Sequence, residues 1–164
     1  MIYYSLAALM GMLVKIVDQL EDVLKNNSPV KYILAIIYGI IGGCIISYSS
    51  FSSLWIAALF AQLLAGKLDR PVHMLGFSAS LLFSAIFGIA DFRLFDTFAF
   101  LIAAFIDESN PLGWNPAIRP ALKLASLAFA LIGRWDYLFA ILLFDIAYFA
   151  VGMVIPEKPR KPIK

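Results

Sequence analysis

Seven apolar stretches, each parted from the next by a short polar turn, fill this chain of 164 residues almost end to end. No polar segment is long enough to form the outside of a water-soluble domain. Hydrophobic residues make up 62% of the chain and charged residues 15%, where a soluble domain has about 45 to 50% and about 25%. The bilayer core is about 30 Å thick and is crossed by about 20 helical residues. The sequence therefore predicts an all-α polytopic transmembrane helix bundle. Residues 1–155 read as a single transmembrane helical domain and residues 156–164 as a basic cytoplasmic tail.

The punctuation sets the expected helices. Helix 1 runs from about Ile2 to Leu24, and Ser28-Pro29 opens helix 2, which reaches about Tyr48. The serine-rich stretch that follows is a turn. Helix 3 covers about Leu54 to Gly66, and Asp69-Arg70-Pro71 opens helix 4, which ends near Ile89. Helix 5 follows the Asp91-Phe92-Arg93 turn from Leu94 to about Ile106. The loop rich in Gly and Pro leads to helix 6, from Arg119-Pro120 to Gly133, and helix 7 covers Trp135 to about Ile155. Helices 3, 5 and 6 are short for a full crossing, so one of them being re-entrant would make the count six. After helix 1 the order reads as three helical hairpins, with Asp69, Asp107 and Asp145 evenly spaced.

Alternating helices sort the basic residues unequally. Lys25, Lys31, Lys67, Arg70, Arg119, Lys123 and the tail fall on one side, and Arg93 and Arg134 on the other. Positive charge gathers on the cytoplasmic side of a membrane, which places the C-terminus in the cytoplasm and the N-terminus outside. Met1 to Val14 lack the basic start and cleavage pattern of a signal peptide, so this segment is expected to be mature structure. The formal net charge of +2 offers nothing to nucleic acid. Cys44, the single cysteine, reads as a small packing residue.

Several charged residues call for a chemical explanation. Lys15, Asp18, Asp22 and Lys25 share one face of helix 1 with Gly11, Ala8 and Tyr4, so this face is expected to point into the bundle. The opposing expectation is an amphipathic helix end in the membrane interface. Asp69 is a candidate N-cap for helix 4, with His73 one turn beyond it. Asp107-Glu108 closes helix 5, where the helix dipole disfavours carboxylates. Gathered on one side, Asp18, Asp22, Asp69 and Asp107 are candidate oxygen ligands for Mg²⁺ or Mn²⁺. Arg119 and Lys123 are candidate phosphate-binding residues, and His73, Asp107 and Glu108 candidate catalytic acids or bases.

Asp145 lies near the middle of helix 7, where a carboxylate in lipid needs a partner. Tyr38, Tyr148, the serines of helix 4 or a water-filled cavity are expected partners, and an ion or proton pathway is the functional reading. Gly39, Gly42 and Gly43 of helix 2 and Ser78, Ser80 and Ser84 of helix 4 read as close-packing surfaces that also suit oligomerisation. P-loop, HExxH, GxSxG and CxxC motifs are missing from the sequence. The Asp18–Asp22 segment lacks the flanking residues of the prenyltransferase DxxxD element, so no family is assigned.

Three functions remain open from sequence. The first is a cytoplasm-facing, divalent-metal-assisted enzyme acting on a phosphate or diphosphate lipid or isoprenoid. The second is a small cation- or proton-coupled transporter or channel using Asp145. The third is a structural membrane subunit whose charges are merely paired. All three have membrane lipids as partners.

Overall fold

The computed structural model describes residues 1–23, 28–111, 113 and 118–154, with only the backbone described for residues 22 and 23. The described residues form seven helices and no strand: α1 Ile2–Val23, α2 Pro29–Tyr48, α3 Ser52–Leu64, α4 Pro71–Phe87, α5 Leu94–Ser109, α6 Pro120–Leu131 and α7 Trp135–Val154. Prolines at the starts of α2, α4 and α6 set these boundaries, since a proline at the first helical position sacrifices no intrahelical bond. Gly88 (φ 83°), Asn110 (φ 48°) and Gly133 (φ 91°) take left-handed or related conformations where α4, α5 and α6 end. The expected tail lies outside the described residues, as do the side chain of Asp22 and the whole of Lys25.

Contacts between helices run in register and give their directions. Tyr4 meets Phe139, Gly11 meets Phe144 and Lys15 meets Gly152, so α1 and α7 are parallel. Gly39 meets Gly76 and Gly43 meets Phe83, which makes α2 and α4 parallel. Met10 lies against Gly42 while Glu21 pairs with Lys31, so α1 and α2 are antiparallel. Arg119 of the α6 start reaches Asp145 while Phe129 meets Tyr137, so α6 and α7 are antiparallel as well. Arg93 and Arg134 meet at Asp91 at one end of the bundle, and Lys31, Arg119 and Lys123 pair toward the other.

Of the three expected hairpins, α2 with α3 and α6 with α7 pack as consecutive pairs and α4 with α5 does not. The most extensive packing joins α2 to α4, α1 to α7 and α3 to α5. Close approach explains the first of these. A Cβ on Gly39 would lie 2.4 Å from the Gly76 carbonyl oxygen, and Ser80 Oγ donates to the Gly39 carbonyl at 2.7 Å. Ser84 Oγ donates in turn to the Ser80 carbonyl. Ser78, anticipated on this face, is exposed, and Gly76 takes its place. Asp69, Asp107 and Asp145 land in a loop, near a helix end and in a helix middle, so their even spacing reflects no structural repeat.

Apolar side chains lie on the outside of the bundle as well as in its core. Ile33, Ile36, Ile37 and Ile40 form an exposed stripe on α2, with Leu82 and Ile86 on α4, Phe98 and Ile102 on α5, and Leu124 and Leu131 on α6. Lys15, Lys31, Asp96, Asp107, Asp145 and Ser52, Ser53, Ser80 and Ser126 are buried. Two helices, α2 and α7, are long and apolar enough to cross a membrane. At 13 residues α3 is only about 20 Å long, and it is enclosed by its neighbours, with Ser52 to Ala57, Leu59 and Ala61 buried.

Candidate functional site

The inward faces of the helices leave a cavity of about 840 Å³ between them. Its lining changes character along the bundle. Lys15, Asp18, Lys67, His73, Asp107, Glu108, Arg119 and Tyr148 supply polar groups toward one end. Met10, Ile46, Trp55, Leu59, Phe77, Ile141 and Phe144 line the deeper part. On α7 the lining extends from Ile141 to Met153, about 18 Å at the helical rise. This volume lies within the range of about 300 to 1,000 Å³ that holds a drug-sized ligand.

Asp18 stands at the centre of the polar end. Tyr148 Oη donates to its Oδ2 at 2.9 Å, and His73 Nε2 lies 3.6 Å from its Oδ1. The carboxylate is thus held from α7 and faced by an imidazole from α4. Lys15 is buried and sits over the Tyr148 ring, 4.9 Å from its centroid. The α1 face carrying Gly11, Lys15 and Asp18 points into the bundle, as the first of the two expectations for this helix required. Gly11 makes this possible, because a Cβ there would lie 2.2 Å from the Phe144 carbonyl oxygen.

Arg119 approaches from the residue before α6, in a left-handed conformation (φ 47°) that is unusual for a side chain bearing a Cβ. Its Nη1 donates to Asp145 Oδ1 at 2.7 Å, and its guanidinium lies 5.1 Å from the Phe144 ring and 5.4 Å from that of Tyr148. Lys123 Nζ lies 2.8 Å from Asp145 Oδ2 and also donates to the Ile118 carbonyl. The partners of Asp145 are therefore two cations, in place of the tyrosines, serines or water anticipated. One of the five guanidinium donors is committed to Asp145, and the group remains part of the cavity wall.

Asp107 has a role that its position in α5 did not suggest. Its Oδ1 accepts from the Ala121 N–H at 3.0 Å and its Oδ2 from the Leu122 N–H at 2.8 Å. The carboxylate that is out of place at the end of its own helix caps the positive end of another. Arg119, at the cap position of α6, makes no side-chain cap bond, which leaves those donors to Asp107.

The sequence-predicted residues are brought together in part. His73, Asp18, Asp107, Glu108 and Arg119 line the cavity, whereas Lys123 and Asp145 stand behind Arg119. Asp69 is exposed and outside the lining, and the N-cap position of α4 is occupied by Arg70. Among the described residues no group of three or more His, Cys, Asp or Glu is placed to hold a metal ion. The expected four-carboxylate set is not gathered: Asp107 is committed to α6, Asp69 lies apart, and the Asp22 side chain is outside the described residues. Sequence reasoning missed Tyr148 as the group that orients Asp18, although the tyrosine three residues beyond Asp145 on α7 was visible.

A second polar cluster lies at the opposite end of the bundle. Arg134 forms ion pairs with Asp96 and, at 3.8 Å, with Asp91, and it also bonds Tyr137. Tyr137 Oη donates to Asp96 at 2.6 Å, and Ser53 Oγ accepts from the Arg93 N–H at 2.9 Å. These groups satisfy one another and tie α3, α5 and α7 together. No known protein family, curated protein or solved structure matches this chain.

Proposed function

We propose that this chain is a multi-pass membrane protein whose cavity binds a phosphate- or diphosphate-headed lipid or isoprenoid and acts on its headgroup. The observation that carries this reading is the polarity of the cavity: cationic and carboxylate groups at one end, apolar side chains at the other, inside a bundle whose outside is apolar. An amphiphile is the ligand class that matches both halves. Large exposed apolar surfaces belong to membranes or interfaces and are rare on soluble monomers.

In this account Arg119, Lys15 and Lys67 hold the anionic headgroup, with Asp145 and Lys123 positioning Arg119. The His73–Asp18 pair moves the proton, and Tyr148 fixes the carboxylate that faces the imidazole. A divalent ion fits as a companion of the substrate: Mg²⁺ typically takes one or two carboxylates and completes its shell with phosphate oxygens and water. Glu108 is the lining carboxylate left for it, since Asp18 is held by Tyr148 and faces His73. The polar end faces the cytoplasm, in keeping with the basic residues gathered there, and the N-terminus lies outside. The pairing of Asp145 with two cations favours a positioning role for it over a transport role.

Thermal unfolding of the detergent-solubilised chain tests this reading. Dioctanoyl phosphatidic acid and farnesyl diphosphate, with and without Mg²⁺, are compared with dioctanoylglycerol and farnesol. A ligand at a hundredfold excess over its dissociation constant stabilises by about 2.7 kcal/mol. At least one phosphate-bearing probe is expected to raise the midpoint while its neutral counterpart does not. Equal effects of charged and neutral probes would remove the headgroup site.

A further inference from the structure

The apolar end of the cavity adjoins a second depression on the outside of the bundle. A groove of about 230 Å³ is lined by Ile46, Ile56, Leu59, Phe60, Leu81, Ser84, Ala85 and Ile89. Ile46 and Leu59 line the cavity as well, so the two spaces share a wall only a side chain thick. The groove runs between α3 and α4, which are not a packed pair, and the chain leaving α4 closes one end of it through the Ala90 N–H bond to the Ile46 carbonyl. On its outer side Phe60, Leu81, Ala85 and Ile89 are exposed.

A second observation comes from Trp55 in the cavity lining. Its side chain is 5% exposed, and its indole Nε1 has no hydrogen-bond partner among the described residues. That nitrogen is itself sealed from the cavity, so Trp55 meets the space through its ring. Its ring packs on Phe144 at 5.4 Å, and the guanidinium of Arg119 lies 5.1 Å from that same ring. A ligand whose phosphate meets Arg119 has the Phe144 ring, and the Trp55 ring packed on it, along its way into the apolar lining.

We propose that the groove between α3 and α4 is a lateral entrance from the membrane, through which a phosphate-headed diacyl lipid reaches the cavity with its tails passing Leu59 and Ile46. The proposal rests on the headgroup reading above and adds the ligand's path. The hydrocarbon beyond the headgroup passes the Trp55 ring and follows the apolar lining out between the two helices. The two spaces join where the Leu59 and Ile46 side chains give way.

The test uses the full chain in detergent with W114F and W135F, which leaves Trp55 as its only tryptophan. Phosphatidic acid carrying dibrominated acyl chains is added, since bromine quenches tryptophan emission on contact. Trp55 emission is expected to fall by at least half at saturation, and by less than a tenth with the equivalent brominated diacylglycerol. Ala85→Phe, which fills the exposed groove, is expected to slow quenching at least tenfold. A quenching rate unchanged by Ala85→Phe would overturn the entrance. Stabilisation by dioctanoyl phosphatidic acid without any quenching of Trp55 would overturn the tail path while leaving the headgroup site in place; failure of both would remove the headgroup site too.

Discussion

Arg119 donates a 2.7 Å hydrogen bond from Nη1 to Oδ1 of Asp145, reaching from a left-handed backbone before α6 to the middle of α7. The two side chains are 16% and 4% exposed, so neither charge is well solvated. The pair places a cation in the cavity wall and gives a mid-helix carboxylate the counter-charge it needs inside an apolar bundle.

Asp145→Asn is therefore expected to destabilise the protein and to weaken its hold on a phosphate headgroup. Breaking a buried ion pair by removing one partner costs about 3 to 5 kcal/mol. Replacing Asp145 and Arg119 together, Asp145→Leu with Arg119→Met, is expected to recover part of the stability, since Lys123 keeps only the Ile118 carbonyl, and none of the phosphate-dependent stabilisation. Thermal unfolding with and without dioctanoyl phosphatidic acid measures both quantities. Full phosphate-dependent stabilisation in the double variant would show that Arg119 holds no headgroup.

Asp107→Asn tests the cap across helices. An amide presents one acceptor where the carboxylate presents two, and its NH₂ group meets the second N–H as a donor. The expected loss is about 1 kcal/mol, within the usual range for a helix cap. Amide hydrogen exchange at Ala121 and Leu122 should accelerate with it. Unchanged exchange at both positions would mean that these bonds contribute nothing to the stability of α6.

Gly11→Ala and Gly152→Ala separate close backbone packing from helix propensity, because both add one methyl group to a helix. At Gly11 the new Cβ meets the Phe144 backbone at 2.2 Å, whereas at Gly152 it meets the flexible Lys15 side chain at 3.1 Å. Overpacking against an unyielding neighbour costs about 1 to 3 kcal/mol. The expected order is a clear loss for Gly11→Ala and a small change of either sign for Gly152→Ala, read from unfolding in detergent. Equal effects would contradict the tight α1–α7 contact.

The helices were legible in the sequence because their signals are local. Pro29, Pro71 and Pro120 mark three starts, and the apolar runs between turns give the lengths. The inward direction of Lys15 and Asp18 was legible from their spacing with Gly11. Partner choice was not, since it depends on which helices pack together. Asp107 was recognised as out of place on α5, but the N–H groups that compensate it belong to α6, and only the missing side-chain cap at Arg119 hinted at them. Asp69 shows the opposite case: the motif before Pro71 suggested a cap, yet the chain enters α4 with Arg70 at that position. The regular spacing of three aspartates suggested hairpins, whereas small residues on α2 and α4 decided the packing.

The central claim is that the polar end of the cavity binds a phosphate-headed amphiphile through Arg119. Equilibrium dialysis of radiolabelled dioctanoyl phosphatidic acid against the detergent-solubilised chain measures this directly, with Arg119→Met and Arg134→Met as the two variants. Arg134 belongs to the cluster at the far end of the bundle, so its loss should lower stability without changing affinity in protein that remains folded. Saturable binding of one lipid per chain is expected, weakened at least tenfold by Arg119→Met and unaltered by Arg134→Met. Non-saturable uptake, or equal affinity in all three proteins, would contradict it.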